Sequence, residues 1–225
     1  MKVAVLLPGH LRAWNYCREN FISKIYDDNH EIDVFIDTYY EVFRSDYELH
    51  GESSMQILKN KDEIKNDFND INVVDFSIED EITGEGYRRA MYMQKRKILK
   101  IYDSFSKYQD QNGKYDLVVR SRFDILLDKK LDYDYILKKC IKNPKLIFIG
   151  NGAVDRDDND MFAVCSSDTF DLYVNRLNLY PEETDPALHH KSLTYIEKNH
   201  GVVYDKTTKI SIVRLDGNKN FAVHT

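Results

Sequence analysis

Three charged side chains sit two residues apart near the middle of this sequence. They are Arg120, Arg122 and Asp124, in the segment Tyr115-Asp-Leu-Val-Val-Arg-Ser-Arg-Phe-Asp-Ile-Leu-Leu127. The apolar start of the segment has the pattern of a buried strand. Alternate residues of a strand share a face, so a strand continued to Asp124 would project all three groups together. Two guanidinium groups can hold phosphate through paired hydrogen bonds, and a carboxylate beside them can hold a divalent ion. Such a trio predicts the handling of a nucleotide or another phosphorylated donor. The competing reading is an ion-pair cluster in which Asp124 does no more than neutralise an arginine.

A second candidate is Pro8-Gly-His-Leu-Arg12, which closes the apolar run Val3 to Leu7. Gly9 lets backbone approach a ligand, and Arg12 at the start of a helix can meet phosphate. The turn carries neither the G-x-G-x-x-G fingerprint nor the Walker lysine. Two further acid pairs are Asp155-Arg-Asp157, in the most acidic stretch of the chain, and Asp132-Tyr-Asp134. The first reads as a solvated turn and the second as a helix opening, where acids favour the dipole. Asp160 directly precedes an apolar run, a place suited to a base or to a group that orients a hydroxyl acceptor. His189, beside His190, can complete an oxygen-rich metal site as a neutral imidazole. The chain has no G-x-S-x-G and no H-E-x-x-H, which argues against a covalent hydrolase or a zincin.

The elements that must position these groups follow from periodicity. Strands are expected at Val3 to Leu7, Ile32 to Asp37, Ile71 to Phe76, Leu117 to Arg120, Lys145 to Gly150 and Met161 to Cys165. Val202 to Tyr204 and Ile210 to Arg214 are expected as a terminal hairpin or edge pair. Helices are expected from Leu11 to about Ile25, weakly at Ser54 to Leu58, and from about Gly86 to Tyr108. Two more are expected after the N-cap signature Ser166-Ser-Asp168 and from about Asp185 to Asn199. Arg88 and Gln94 are the residues of the long helix assigned to reach a donor. Strand–helix alternation predicts an α/β fold with a largely parallel, Rossmann-like central sheet flanked by helices. Ligands of such sheets bind at the carboxyl ends of strands.

Bulk properties narrow the class. With 225 residues, 42% hydrophobic and 31% charged, the chain can bury a real core. A net charge of −6 argues against a nucleic-acid binder, so any phosphate affinity must be local. Cys17, Cys140 and Cys165 are widely spaced and read as buried free thiols of a reducing compartment. No secretory signal and no run of roughly 18 apolar residues is evident, which predicts a cytoplasmic protein without a transmembrane segment.

Taken in order, these motifs resemble a group of small GT-A-type glycosyltransferase-like proteins of viral and bacterial polysaccharide gene sets. Leu7-Pro-Gly-His-Leu-Arg12 is similar to their opening turn, Asp33-Val-Phe-Ile-Asp-Thr38 to their second strand, and Gln94 falls in the helix before their signature strand. Tyr115 to Asp124 resembles the signature itself. Asn159-Asp-Met-Phe-Ala163 with Ser166-Ser-Asp168 resembles a later segment, and the Pro-Ala-Leu-His-His helix and Ile212-Val-Arg214 resemble their close. The resemblance implies a single GT-A-like domain over 1–225, with a donor half at 1–125 and an acceptor half at 126–225. It implies a metal-assisted hexosyl- or deoxyhexosyltransferase that moves sugar from a UDP- or GDP-sugar to a glycan or other hydroxyl acceptor, with Mn²⁺ or Mg²⁺. Arg122 stands where many GT-A enzymes have the first Asp of D-x-D. The residues carried over are Pro8, Gly9, His10, Arg12, Arg88, Gln94, Arg120 and Arg122 for the donor. Asp124 and His189 are assigned to metal, and Asp160 and Arg122 to catalysis. Alternatives are a non-catalytic nucleotide-sugar or glycan-binding module on a degenerate scaffold, or a sugar nucleotidyltransferase. Inversion or retention stays open.

Overall fold

The structure, a computed structural model, describes residues 1–11, 13–39, 61–79, 87–151, 161–179, 188–215 and 221–224. Side chains at 87–93, 179, 188–191, 214–215 and 221–224 fall outside the description. The expected helix at Ser54 to Leu58 also lies outside it.

The first half alternates as expected. Strand β1 (Lys2–Pro8), helix α1 (Trp14–Lys24), β2 (Glu31–Tyr39), α2 (Lys61–Asn66), β3 (Val73–Glu79), α3 (Tyr87–Asn112) and β4 (Leu117–Arg120) follow one another. The strands pair in the order β3-β2-β1-β4, all parallel. The chain winds outward from β1 through β2 to β3, then α3 carries it back to β4 on the other side of β1. The strand order therefore reverses between β1 and β4.

The second half departs from the expected parallel sheet. It contains β5 (Ile125–Leu127), α4 (Tyr133–Lys142), β6 (Leu146–Asn151), β7 (Ala163–Ser166) and α5 (Ser167–Asn175). A 3-10 turn (Arg176–Leu179), α6 (Leu188–His200), β8 (Val203–Leu215) and β9 (Phe221–His224) complete it. The sheet is mixed: β7 lies antiparallel between β4 and β6, and β5 and β9 are antiparallel to β8. Consecutive strands that lie side by side need no crossover when they run antiparallel, and β7 follows β6 in that way.

The expected terminal hairpin is instead one strand, β8. Its first part runs parallel to β6, and its end pairs with β5 and β9. Gly150 permits the close approach this requires, because a Cβ there would sit 2.5 Å from the Ile210 side chain.

Alternation sorts the strand residues into two layers. Val3, Val5, Leu7, Val34, Ile36, Leu117 and Val119 face one layer with Trp14 and Phe21 of α1, Ile64 of α2 and Ile136 of α4. Ala4, Leu6, Phe35, Val118, Ile147 and Cys165 face the other, with Ile98, Ile101 and Phe105 of α3, Phe170 of α5 and Leu193 of α6. Asp132 caps α4 by accepting from Tyr135 N at 2.9 Å, as the acid-rich opening predicted. Ser166 is the N-cap of α5 but makes no side-chain cap bond. Its hydroxyl donates instead to Thr169 Oγ1 at 3.0 Å. Among the described residues no helix is long and apolar enough to cross a membrane.

Candidate functional site

The two motifs singled out in the sequence meet at one edge. Leu6 of β1 and Arg120 of β4 are register partners, and Ser121 N extends that ladder by donating to Leu6 O at 3.0 Å. The Pro8-Gly9-His10 turn and the Ser121–Asp124 turn therefore leave the sheet side by side. They do so at the carboxyl ends of the two strands that flank the order reversal, where open α/β sheets bind ligands.

The register also corrects the picture of three groups on one strand face. β4 ends at Arg120, so the two-residue alternation stops before Arg122. Arg120 is 1% exposed and has the strand parity of Val118, which faces the α3 layer. Its charge lies beneath the edge. Phe123 turns the chain over by packing in the opposite layer, 5.6 Å from the Trp14 ring and 6.2 Å from the Phe68 ring. Arg122 and Asp124 then meet as a fork. Arg122 Nε donates to Asp124 Oδ1 at 2.7 Å and Nη2 to Oδ2 at 2.6 Å. The pair is the ion-pair alternative weighed in the sequence, with one difference: the Asp124 side chain is 2% exposed and that of Arg122 21%.

β8 and α1 fix this turn from behind. Val213 N donates to Asp124 O at 2.8 Å. Asn20 of α1 grips β5 in both directions, donating to Leu127 O at 3.0 Å and accepting from Leu127 N at 2.8 Å. Ala13, the N-cap of α1, and Cys17 of α1 pack with Val213. Burial pushes the Cys17 thiol up to about 12, and the charge of Asp124 adds to the rise.

At the neighbouring strand end, Gly9 adopts φ 119° and its N–H donates to Asp37 O at 2.9 Å. His10 lies with its ring centroid 4.7 Å from that of Tyr39. Sequence reasoning missed what stands beneath this turn. Lys97 of α3, fully buried, donates to Asp37 Oδ1 at 2.7 Å and to Thr38 O at 2.9 Å. It also meets Glu79 Oε2 at 3.2 Å and lies 4.0 Å from the Tyr39 ring centroid. Burial pushes the Asp37 carboxyl up against the pull of Lys97 and Lys100. Burial acts the same way on Glu79, but hydrogen bonds from Lys100 and Lys97 outweigh it and hold that carboxyl below its usual range. The available signal was a lysine at position 97 within the inward stripe of α3, one turn after Gln94 and one before Ile101.

Gln94 is half-buried on that stripe. Arg88 and His189 lie in the first turns of α3 and α6, and their side chains are outside the described residues. Arg12 and Asp160 are outside them as well. β6 ends at Asn151 and β7 starts at Ala163, both at the edge that carries Arg120.

Asp124 does not fit a metal ligand in this arrangement, since both of its oxygens accept from Arg122. Among the described residues no three His, Cys, Asp or Glu side chains group to hold an ion. What the described part of the edge carries is a guanidinium–carboxylate fork, a buried arginine, a glycine turn and the His10 and Tyr39 rings.

No family model matches the chain, and no curated protein matches it in sequence. Solved structures similar to it include a protein assigned as a nucleotide-diphospho-sugar transferase from Desulfovibrio desulfuricans G20. The identity is 10%, covering 91% of this chain and 79% of that one, with a TM-score of 0.48. A glycosyltransferase involved in glycosylation of the major capsid of PBCV-1 is similar at 10% identity, covering 92% of this chain and 82% of that one, with a TM-score of 0.44. A197 from STIV is similar at 10% identity, covering 100% and 93%, with a TM-score of 0.39.

Proposed function

We propose that this chain is a glycosyltransferase that takes a sugar from a UDP- or GDP-sugar and gives it to a hydroxyl acceptor of a glycan. The observation that carries this is the register of Leu6 with Arg120. It sets a glycine turn and an arginine turn together at the reversal point of a sheet whose ligands belong there. One domain over 1–225 serves both substrates in this proposal, with the donor on 1–125 and the acceptor on 126–225.

In the transfer, the bond from the anomeric carbon to the diphosphate oxygen breaks and positive character builds on the sugar. The leaving diphosphate carries the electron pair away. Cations fixed before the reaction stabilise that charge without reorganising. Arg122 is the group at the edge that supplies it, with Arg120 adding field from the buried layer. Pro8, Gly9 and His10, with Arg12, hold the nucleotide. Arg88 and Gln94 approach it from the start of α3. Asp160 takes the acceptor proton if the reaction inverts. Mn²⁺ or Mg²⁺ would have a role only where a donor draws Arg122 off Asp124.

The closed Arg122–Asp124 fork favours a second reading, a module that binds nucleotide sugar without transferring it. One experiment separates the two. A panel of UDP- and GDP-sugars is scored for a rise in melting temperature, with and without Mn²⁺, and each hit for release of nucleoside diphosphate with glycan acceptors. Transfer requires both signals, and Arg122→Ala must abolish them. Stabilisation without release supports the binding module. No shift with any nucleotide sugar overturns both readings.

A further inference from the structure

We infer that Lys97 is the positioning residue of the β1–α1 turn, holding Gly9 and His10 in place from beneath through the end of β2. The inference deepens the donor-binding role proposed for that turn.

The ammonium donates to two acceptors, Asp37 Oδ1 and Thr38 O, and lies in ion-pair contact with a third oxygen, Glu79 Oε2, at 3.2 Å. The Tyr39 ring closes the remaining side at 4.0 Å. Lys97 thereby contacts three consecutive residues of β2 at its carboxyl end. Asp37 is held twice: its side chain by Lys97, and its carbonyl by Gly9 N. Tyr39 likewise lies between Lys97 and His10 in the contact chain. Both routes from the ammonium reach the β1–α1 turn.

Stability alone does not call for this arrangement. Burying an ammonium carries a large desolvation penalty, and a well-packed apolar side chain of similar length often does as well or better. An apolar residue cannot, however, bind a carboxylate, a carbonyl and a ring together and so fix where β2 stops. Gly9 has a backbone conformation open mainly to glycine, and a Cβ added there would meet nothing within 4 Å among the described residues. Its N–H is tied to the end of β2 by the hydrogen bond to Asp37 O.

The test is the double variant Lys97→Met/Asp37→Asn, which leaves neither charge buried and unpaired. Three quantities are measured against wild type: the urea midpoint, hydrogen exchange at the Gly9 amide relative to the Val5 amide, and the His10 imidazole resonances. UDP and GDP affinities are measured in parallel by calorimetry. The double variant is expected to keep the midpoint within experimental spread. Gly9 exchange should accelerate at least tenfold relative to Val5, His10 should shift toward values of a free imidazole, and nucleotide affinity should fall about tenfold. Unchanged Gly9 exchange and His10 resonances overturn the inference, whatever the nucleotides do. If Gly9 and His10 respond but wild type binds neither UDP nor GDP, the donor reading fails and the positioning role stands. Should the double variant not fold, Lys97→Arg keeps the charge but replaces a three-way donor with a planar fork. The same two signals then decide.

Discussion

Arg122 and Asp124 face each other through two parallel hydrogen bonds of 2.7 and 2.6 Å across a single intervening residue. That residue, Phe123, is buried in the opposite layer. The fork thus depends on Phe123 as much as on charge: burying the ring reverses the chain and brings i and i+2 into register. A carboxylate so nearly sealed from water takes one hydrogen bond on each oxygen from this guanidinium.

Removing the guanidinium should therefore be costly. Arg122→Ala takes two charge-assisted hydrogen bonds from a buried carboxylate and is expected to lower unfolding free energy by about 2–4 kcal/mol. Arg122→Lys recovers less than half, because an ammonium cannot bond both oxygens in the fork geometry. Urea denaturation of the two variants checks this. Equal stabilities for Lys and Ala would show that the pairing is not bidentate in solution.

Gly9→Ala isolates the turn at the end of β1. A Cβ there meets nothing within 4 Å among the described residues, so the resistance to the change comes from the backbone at φ 119°. The expected cost is about 1–2 kcal/mol, with nucleotide affinity falling further than stability alone explains. Chemical denaturation and calorimetry on one preparation give both numbers.

The three cysteines should be inert in the folded protein. Burial raises the thiol pKa of Cys17, Cys140 and Cys165, that of Cys17 to about 12, and the thiolate is the reactive form. Aromatic disulfide reagent at pH 8 is expected to label none of them until urea is added, then all three. Asp124→Asn should speed labelling of Cys17 alone, since its carboxylate is the charge that acts on that thiol.

Trp14, the one tryptophan, is 2% exposed and stacks on Phe68 with ring centroids 4.8 Å apart. Its Nε1 is buried and donates no hydrogen bond among the described residues. Trp14→Phe gives up ring volume but also an unsatisfied N–H, so the cost is expected to stay below about 1.5 kcal/mol. Trp14→Ala should cost about 3–5 kcal/mol. Thermal denaturation distinguishes them, and a large loss for Phe would mean that the indole N–H has a partner in solution.

Acid sensitivity can be traced at Asp27. A hydrogen bond from Lys130, at 2.9 Å, holds this carboxyl below its usual range, with help from Asn29. Because the folded pKa is lowered, the contribution is fully present above the unfolded value of about 3.9 and disappears as pH falls through the folded one. Wild type should exceed Asp27→Asn by about 0.5–1 kcal/mol at pH 7, and the gap should close near pH 2. A gap that is constant from pH 7 to pH 2 would assign the difference to packing.

Local patterns were enough for much of the fold. The run Val3 to Leu7, the stripe Ile98, Ile101 and Phe105, and the cap at Asp132 each carry their structure in neighbouring residues, because periodicity and capping act over a few positions. The P-G-H turn and the R-S-R-F-D segment were also visible as candidates, since each sets a glycine or charged side chains directly after an apolar strand run. Tertiary structure decided the rest. Only the pairing of β1 with β4 shows that the two motifs share an edge. Only the burial of Phe123 shows that Arg122 closes on Asp124 instead of projecting with Arg120. The antiparallel entry of β7, the continuation of β8 past Gly150, and the seating of Lys97 under Asp37 join residues dozens of positions apart. A lysine written in a sequence looks the same whether it ends in water or in the core; the neighbours that bury it come from other strands and are set only when the sheet closes.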